Sequence, residues 1–114
     1  MRPIALILAL IPAIWPVCAP AQDWQALKGA QIRAALAGRQ LDYASGSVQD
    51  FRASGRTLYS AGADSWGYWR VQGDQYCSMW PPSDLWACYD LLQAGNRLRF
   101  VGAAGDTTDA GVRP

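Results

Sequence analysis

Cys77, Cys88, Ser83, Asp84 and Asp90 are the residues of this chain whose types could carry chemistry. Paired cysteines hold a metal, exchange thiols or form a structural bridge. Metal or redox use needs Cys-x-x-Cys spacing, further ligands or a setting that favours the thiolate, and the sequence presents none of these. With 0 His, the commonest general base and the commonest metal ligand are both missing. Ser-His-Asp and Cys-His sites are therefore excluded. Acid–base work by carboxylates needs a second carboxylate at a working separation, and none is spaced to join Asp84 or Asp90. We expect no catalytic residue, no metal ligand and no cofactor.

What remains for the cysteines is a disulfide, and the run around them says how it forms. Residues 65–91 hold Trp66, Trp69, Trp80 and Trp86 of the 6 Trp, and Tyr68, Tyr76 and Tyr89 of the 5 Tyr. Gly73-Asp74 suits a two-residue hairpin turn with Gly first. Pairing outward places Val71 opposite Tyr76, Arg70 opposite Cys77 and Trp69 opposite Ser78. A second turn at Pro81-Pro82-Ser83-Asp84 places Trp80 opposite Leu85, Met79 opposite Trp86, Cys77 opposite Cys88 and Tyr76 opposite Tyr89. The two registers agree. Directly opposed cysteines can bridge, and closing so short a loop stabilises a small domain by about 2–3 kcal/mol.

Alternation along these strands sorts the side chains into two faces. Gly67, Trp69, Val71, Tyr76, Trp80, Leu85, Ala87, Tyr89 and Leu91 form a core face. Trp66, Tyr68, Arg70, Cys77, Met79, Trp86, Cys88 and Asp90 share a mixed face, as on the wetter side of an antiparallel sheet.

The 114 residues leave room for one domain. Met1–Ala21 reads as a secretory signal: Arg2, an apolar Ile4–Trp15 interrupted by Pro12, and Ala19-Pro20-Ala21 as a cleavage site. A membrane anchor would need a longer unbroken run, and a lipoprotein reading of Cys18 suffers from Trp15 and Val17. The formal charge of +1 argues against nucleic acid as a partner, and no stable membrane span is expected in the mature chain. Periplasmic or secreted placement provides the oxidising conditions a Cys77–Cys88 bridge requires.

Residues 22–102 then form a disulfide-stapled β domain. Leu27, Ile32, Ala35 and Leu36 mark one short helix beginning near Gly29 and stopped by Gly38; it should cover an open end or face of the sheet, with Trp24 beside it. Leu41–Tyr43, Val48–Arg52, Thr57–Ser60 and Arg97–Val101 supply further strands. The spacing pairs Tyr43 with Val48, Phe51 with Leu58, Leu58 with Gly67, Tyr59 with Trp66, Leu91 with Leu98, and Asp90 with Arg99 as an ion pair. Val48 and Phe51 then face opposite ways, so either a bulge lies near Gln49-Asp50 or the first turn differs from this count. Residues 103–114 read as a flexible tail. The expectation is a mainly β (α+β) fold: one N-terminal helix on an antiparallel meander of about seven strands, as a coiled sheet or small half-barrel.

On the mixed face Trp66, Tyr68, Met79 and Trp86, with Arg70 and Tyr59 nearby, could seat a sugar ring, a peptide or a partner protein. The competing expectation is that the helix lies over them as a second core. Trp80–Trp86, stiffened by Pro81-Pro82, is a lesser candidate, since paired prolines commonly only fix a turn. Leu98–Gly105 superficially matches a strand followed by a Gly-rich dinucleotide turn, but no helix can follow it to hold a pyrophosphate.

The run Gly67-x-Trp69-x-Val71-x-Gly73-Asp74-x-Tyr76-Cys77, with Trp80, Cys88 and the helix around Leu27–Ile32, resembles small periplasmic proteins of unknown function from alphaproteobacteria. Some similar short proteins bear the name dihydrodipicolinate reductase. The resemblance implies an exported β domain and brings no chemistry with it. The functional expectation is an exported, non-catalytic envelope protein that binds an unknown envelope ligand or protein through Trp66, Tyr68, Arg70, Met79 and Trp86. A structural or partner-stabilising envelope protein is the first alternative, and an enzyme the second.

Overall fold

The computed structural model describes residues 23–114 together with Pro3; the expected leader, its cleavage after Ala21 and Cys18 lie outside the described residues. Among the described residues the chain forms β1 (Gln25–Ala26), α1 (Gly29–Leu36), β2 (Arg39–Tyr43), β3 (Val48–Phe51), β4 (Arg56–Ser60), β5 (Asp64–Gln72), β6 (Gln75–Met79), β7 (Ala87–Ala94), β8 (Arg97–Val101) and β9 (Thr107–Val112). Strands β2 to β9 pair each with the next, and β9 returns to β2, so eight antiparallel strands close into an up-and-down barrel. The short β1 adds to the edge of β7. A closed barrel replaces the expected coiled sheet of about seven strands, and closure removes the sheet edges that would otherwise attract other chains.

The missing strand lies in the segment expected to be a tail. Thr107–Val112 pairs with β8 on one side and β2 on the other. Arg99 of β8 holds Asp109 with two hydrogen bonds of 2.7 and 2.8 Å, and Arg113 reaches Asp42 of β2. Arg99 therefore pairs with Asp109, and the expected partner Asp90 instead accepts from Gln75 Nε2 at 3.1 Å. The cause is the Gly95-Asn96 turn, which sets Leu91 opposite Phe100 and Leu92 opposite Arg99. This differs from the expected register by two residues, so Leu91, Leu98 and Phe100 still face inward.

Turn length decides the N-terminal half. Tyr43 and Ser47 close a three-residue turn ending in Gly46 (φ 89°), and Arg52 and Arg56 close another ending in Gly55 (φ 95°). Each is a turn whose last residue must adopt a left-handed conformation, which glycine does without steric cost. The sequence reading allowed four residues at both places and again between Ser60 and Asp64, where three also suffice. Every such one-residue slip flips a strand. Thus Asp42 faces Val48, Phe51 faces Thr57, Thr57 faces Gly67, and Tyr59 faces Ser65. No bulge is needed at Gln49-Asp50. Leu58 moves outward to pair with Trp66 while Thr57, fully buried, takes its place inside. Two successive slips cancel, so Gly67, Trp69 and Val71 keep their inward phase.

The two-residue Gly73-Asp74 turn delivers the expected pairs Val71–Tyr76, Arg70–Cys77 and Trp69–Ser78. Cys77 lies opposite Cys88 and the sulfurs are joined at 2.06 Å. Beyond the Ser78–Ala87 pair this ladder stops, because Pro81 and Pro82 have no N–H to give it. The expected pairs Met79–Trp86 and Trp80–Leu85 do not form, and Leu85 points to solvent at 77% exposure, outside the core.

Helix α1 closes one end of the barrel. Ile32 and Leu36, one turn apart, are both fully buried against Leu41, Phe51, Trp69, Leu91 and Leu98. Burying each contributes about 1.5–3 kcal/mol, which an eight-residue helix needs, since so short a helix is marginal alone. The Gln31 side chain accepts the Lys28 N–H, and Asp74 in the β5–β6 turn accepts that of Gly29. A Cβ on Gly29 would meet the Gly73 carbonyl oxygen at 2.6 Å, so this close docking requires glycine. Gly38 (φ 75°) ends the helix as expected. The Trp24 ring faces the Arg99 guanidinium at 4.2 Å.

Candidate functional site

The outward residues of β4, β5 and β6 form the first candidate surface. Tyr68 pairs with Arg56 on one side and Met79 on the other. The guanidinium carbons of Arg52 and Arg56 lie 4.9 and 4.5 Å from the Trp66 ring centre, and that of Arg70 lies 3.9 Å from the Trp86 ring. Such cation–π contacts hold both partners in place while leaving guanidinium edges free to donate. Arg52 approaches Asp50 only at 3.9 Å. The helix occupies the barrel end and does not cover this face, where Trp66 and Tyr68 remain 38% and 43% exposed. Trp66, Tyr68, Arg70, Met79 and Trp86 thus fall on one stretch of outer wall. Tyr59, placed beside them by the sequence reading, lies inside.

The enzyme candidates are scattered. Ser83 Oγ accepts the Leu85 N–H within the Pro81-Pro82 loop, Asp84 is exposed in the same loop, and Asp90 is held by Gln75 on the outer wall. Among the described residues no three metal-ligating side chains come together, and no helix is long and apolar enough to cross a membrane.

A second candidate site was not anticipated from the sequence. At the end away from α1 the barrel interior opens as a cavity of about 540 Å³ bordered by Tyr43, Tyr59, Tyr76, Trp80, Tyr89 and Phe100. Eight strands leave an interior wide enough to be filled by side chains or to hold one small ligand; this barrel does the first at one end and leaves room at the other. Below the rings, Gln49 organises a polar floor: its Oε1 accepts Tyr43 OH at 2.6 Å and its Nε2 donates to Thr57 Oγ1 at 3.0 Å. Thr57 in turn donates to the Asp50 carbonyl, and Trp80 Nε1 donates to Ser78 Oγ. Burial, with smaller contributions from neighbouring phenols, raises the Tyr43 pKa, and burial also raises that of Tyr76. Both phenols stay protonated. On the outer wall, the Arg99 guanidinium holds the Asp109 carboxyl below the usual carboxylate range.

The sequence carried a signal for this interior that only the correct turn length exposes. Tyr43, Gln49, Thr57 and Tyr59 share a face once Ala44-Ser45-Gly46 and Ala53-Ser54-Gly55 are counted as three-residue turns, and Ala103-Ala104-Gly105 repeats the device before β9. No protein-family model matches the chain, and neither the curated proteins nor the solved structures contain a match to it.

Proposed function

We propose that this is an exported, non-catalytic binding protein of the cell envelope or exterior, whose contact surface is the outer wall around Trp66, Tyr68, Arg70, Met79 and Trp86. The observation that carries the reading is the state of the arginines. Arg52, Arg56 and Arg70 stack on Trp66 and Trp86, while Trp66 and Tyr68 keep more than a third of their surface exposed. Rings and guanidinium groups held ready in this way suit a partner that offers acidic or carbonyl oxygens next to apolar or ring surface, such as an acidic glycan or a peptide. The Cys77–Cys88 bridge and the leader-like N-terminus support export, because such bridges persist in oxidising compartments.

The test is a thermal-shift and calorimetric screen of the oxidised protein against envelope glycans and acidic peptides. It is repeated with Trp66→Ala and with Arg70→Gln. A hit whose affinity falls at least tenfold in either variant supports the surface. Equal affinity in both variants, or no hit in a screen that includes acidic glycans, counts against it. N-terminal sequencing of the exported form checks the leader: a start at Gln22 is expected, and retention of Met1 would sink the export reading.

A further inference from the structure

The open end of the barrel has a composition that narrows what could enter it. Six rings border the cavity, and among the described residues no Leu, Ile, Val or Met lines it. Three neighbouring pairs meet at steep angles, Tyr76 and Phe100 at 5.2 Å between centres, Tyr43 and Tyr59 at 5.9 Å, Tyr59 and Trp80 at 6.2 Å, while Tyr43–Phe100 and Tyr76–Tyr89 are tilted closer to parallel. These are the separations at which aromatic edges and faces attract, so a flat ring entering the cavity finds partners of the same kind. A flexible hydrocarbon chain would lose rotamer freedom there and meet no aliphatic wall. At about 540 Å³ the cavity falls within the range of small-molecule sites, and barrel mouths are a common place for them.

Charge narrows the class further. Asp109 is the one acidic residue among the described residues of the lining, and its carboxylate pairs with Arg99, which alternates with the inward-facing Leu98 and Phe100 and so stands on the outer wall. An ionised ligand would therefore give up its hydration without gaining a counter-charge, which is costly. Hydrogen-bonding capacity is present nonetheless. Gln49 is committed to Tyr43 and Thr57, but among the described residues no side chain or backbone group engages the hydroxyls of Tyr59 and Tyr89, and neither is buried without a partner.

We propose that this cavity binds a neutral, flat ring compound bearing a carbonyl or hydroxyl at its edge, stacked among the rings and hydrogen-bonded by Tyr59 and Tyr89. The site lies inside the barrel and does not depend on the outer wall, so each reading survives the failure of the other.

The experiment is calorimetric titration of the oxidised protein with 2-naphthol, with 1-decanol and methyl glucoside titrated separately as a chain and a sugar. Thr108 is exposed at the mouth and pairs with the inward-facing Phe100, so Thr108→Trp should fill the opening without disturbing buried contacts. Tyr89→Phe removes a single hydroxyl and keeps the test decisive if the larger change prevents folding. The expected result is saturable one-to-one binding of 2-naphthol, weakened at least tenfold by Thr108→Trp and several-fold by Tyr89→Phe, and unchanged by Trp66→Ala. Absence of 2-naphthol binding, tighter binding of decanol or the glucoside, or unaltered affinity in a folded Thr108→Trp or Tyr89→Phe protein would overturn the proposal.

Discussion

Arg113 Nε donates to Asp42 Oδ2 at 3.1 Å across a sequence separation of 71 residues, tying the segment after the last strand of the barrel to the first. Asp109, on the strand next to that of Asp42, is gripped from the other side by Arg99. The closing strand β9 is thus flanked by an Arg–Asp pair on each neighbour, and its Ala110 sits buried between Tyr43 and Leu98.

Removal of β9 should therefore be far worse than removal of one surface pair. A chain ending at Gly102 opens the barrel, exposes the flanks of β2 and β8, and uncovers Leu41 and Leu98. Against a total stability of about 5–15 kcal/mol, that loss is expected to abolish cooperative thermal unfolding. Arg113→Ala, at an exposed pair, should lower Tm only slightly. A truncated chain that still melts cooperatively near the full-length Tm would contradict the closed barrel.

Acid should loosen the same seam. Hydrogen bonds from Arg113 and Arg99 lower the pKa values of Asp42 and Asp109 below 3.8. A carboxylate with a depressed folded pKa contributes stability that is fully present above the unfolded value and lost as pH falls through the folded one. Tm should hence fall as pH drops below about 3.8, and Asp109→Asn should flatten that decline while lowering Tm at neutral pH. Identical slopes for the two proteins between pH 5 and pH 2 would rule out this source of acid sensitivity.

Reduction of Cys77–Cys88 should destabilise without redirecting the fold. The bridge closes a loop of separation 11, for which loop entropy gives about 3 kcal/mol. The phase of β6 is set independently by the Gly73-Asp74 turn, and β7 is also held by its ladder to β8. Urea unfolding of the reduced protein should show a lower midpoint with a native-like circular dichroism spectrum beforehand; an unchanged midpoint would mean that the bridge contributes nothing.

Gly67 offers a test of the interior. A Cβ there would lie 2.6 Å from Trp80 Cε3 and 2.7 Å from the Met79 carbonyl oxygen, so the indole must move toward the cavity or the strands must part. Gly67→Ala should destabilise by about 1–3 kcal/mol and shift the Trp fluorescence. An unperturbed, equally stable variant would place Trp80 elsewhere.

The readable parts of this fold were those governed by short-range geometry. The Gly73-Asp74 turn admits one register, and with it came the inward phase of Trp69 and Val71 and the outward grouping of Trp66, Tyr68 and Arg70; the turn at Pro81–Asp84 added the disulfide pairing. The turns ending in Gly46 and Gly55 are one residue shorter than the sequence implies, because three- and four-residue hairpins draw on the same small and polar residues. That single-residue difference exchanged Leu58 for Thr57 in the core and sent Tyr59 from the outer wall to the interior.

Composition, alternation and the turns at Gly73-Asp74 and Pro81–Asp84 determined that the chain is mainly antiparallel β, stapled between Cys77 and Cys88, with one helix whose apolar stripe is Ile32 and Leu36. Tertiary structure alone decided that β9 meets β2 and that α1 plugs an end of the barrel, leaving the wall uncovered. It also brought Tyr43, Tyr59, Tyr76 and Tyr89 together around one opening. The physical reason is that closure joins strands far apart in the chain. Nothing local marks such a partner, and an interior shared by eight strands belongs to none of them singly.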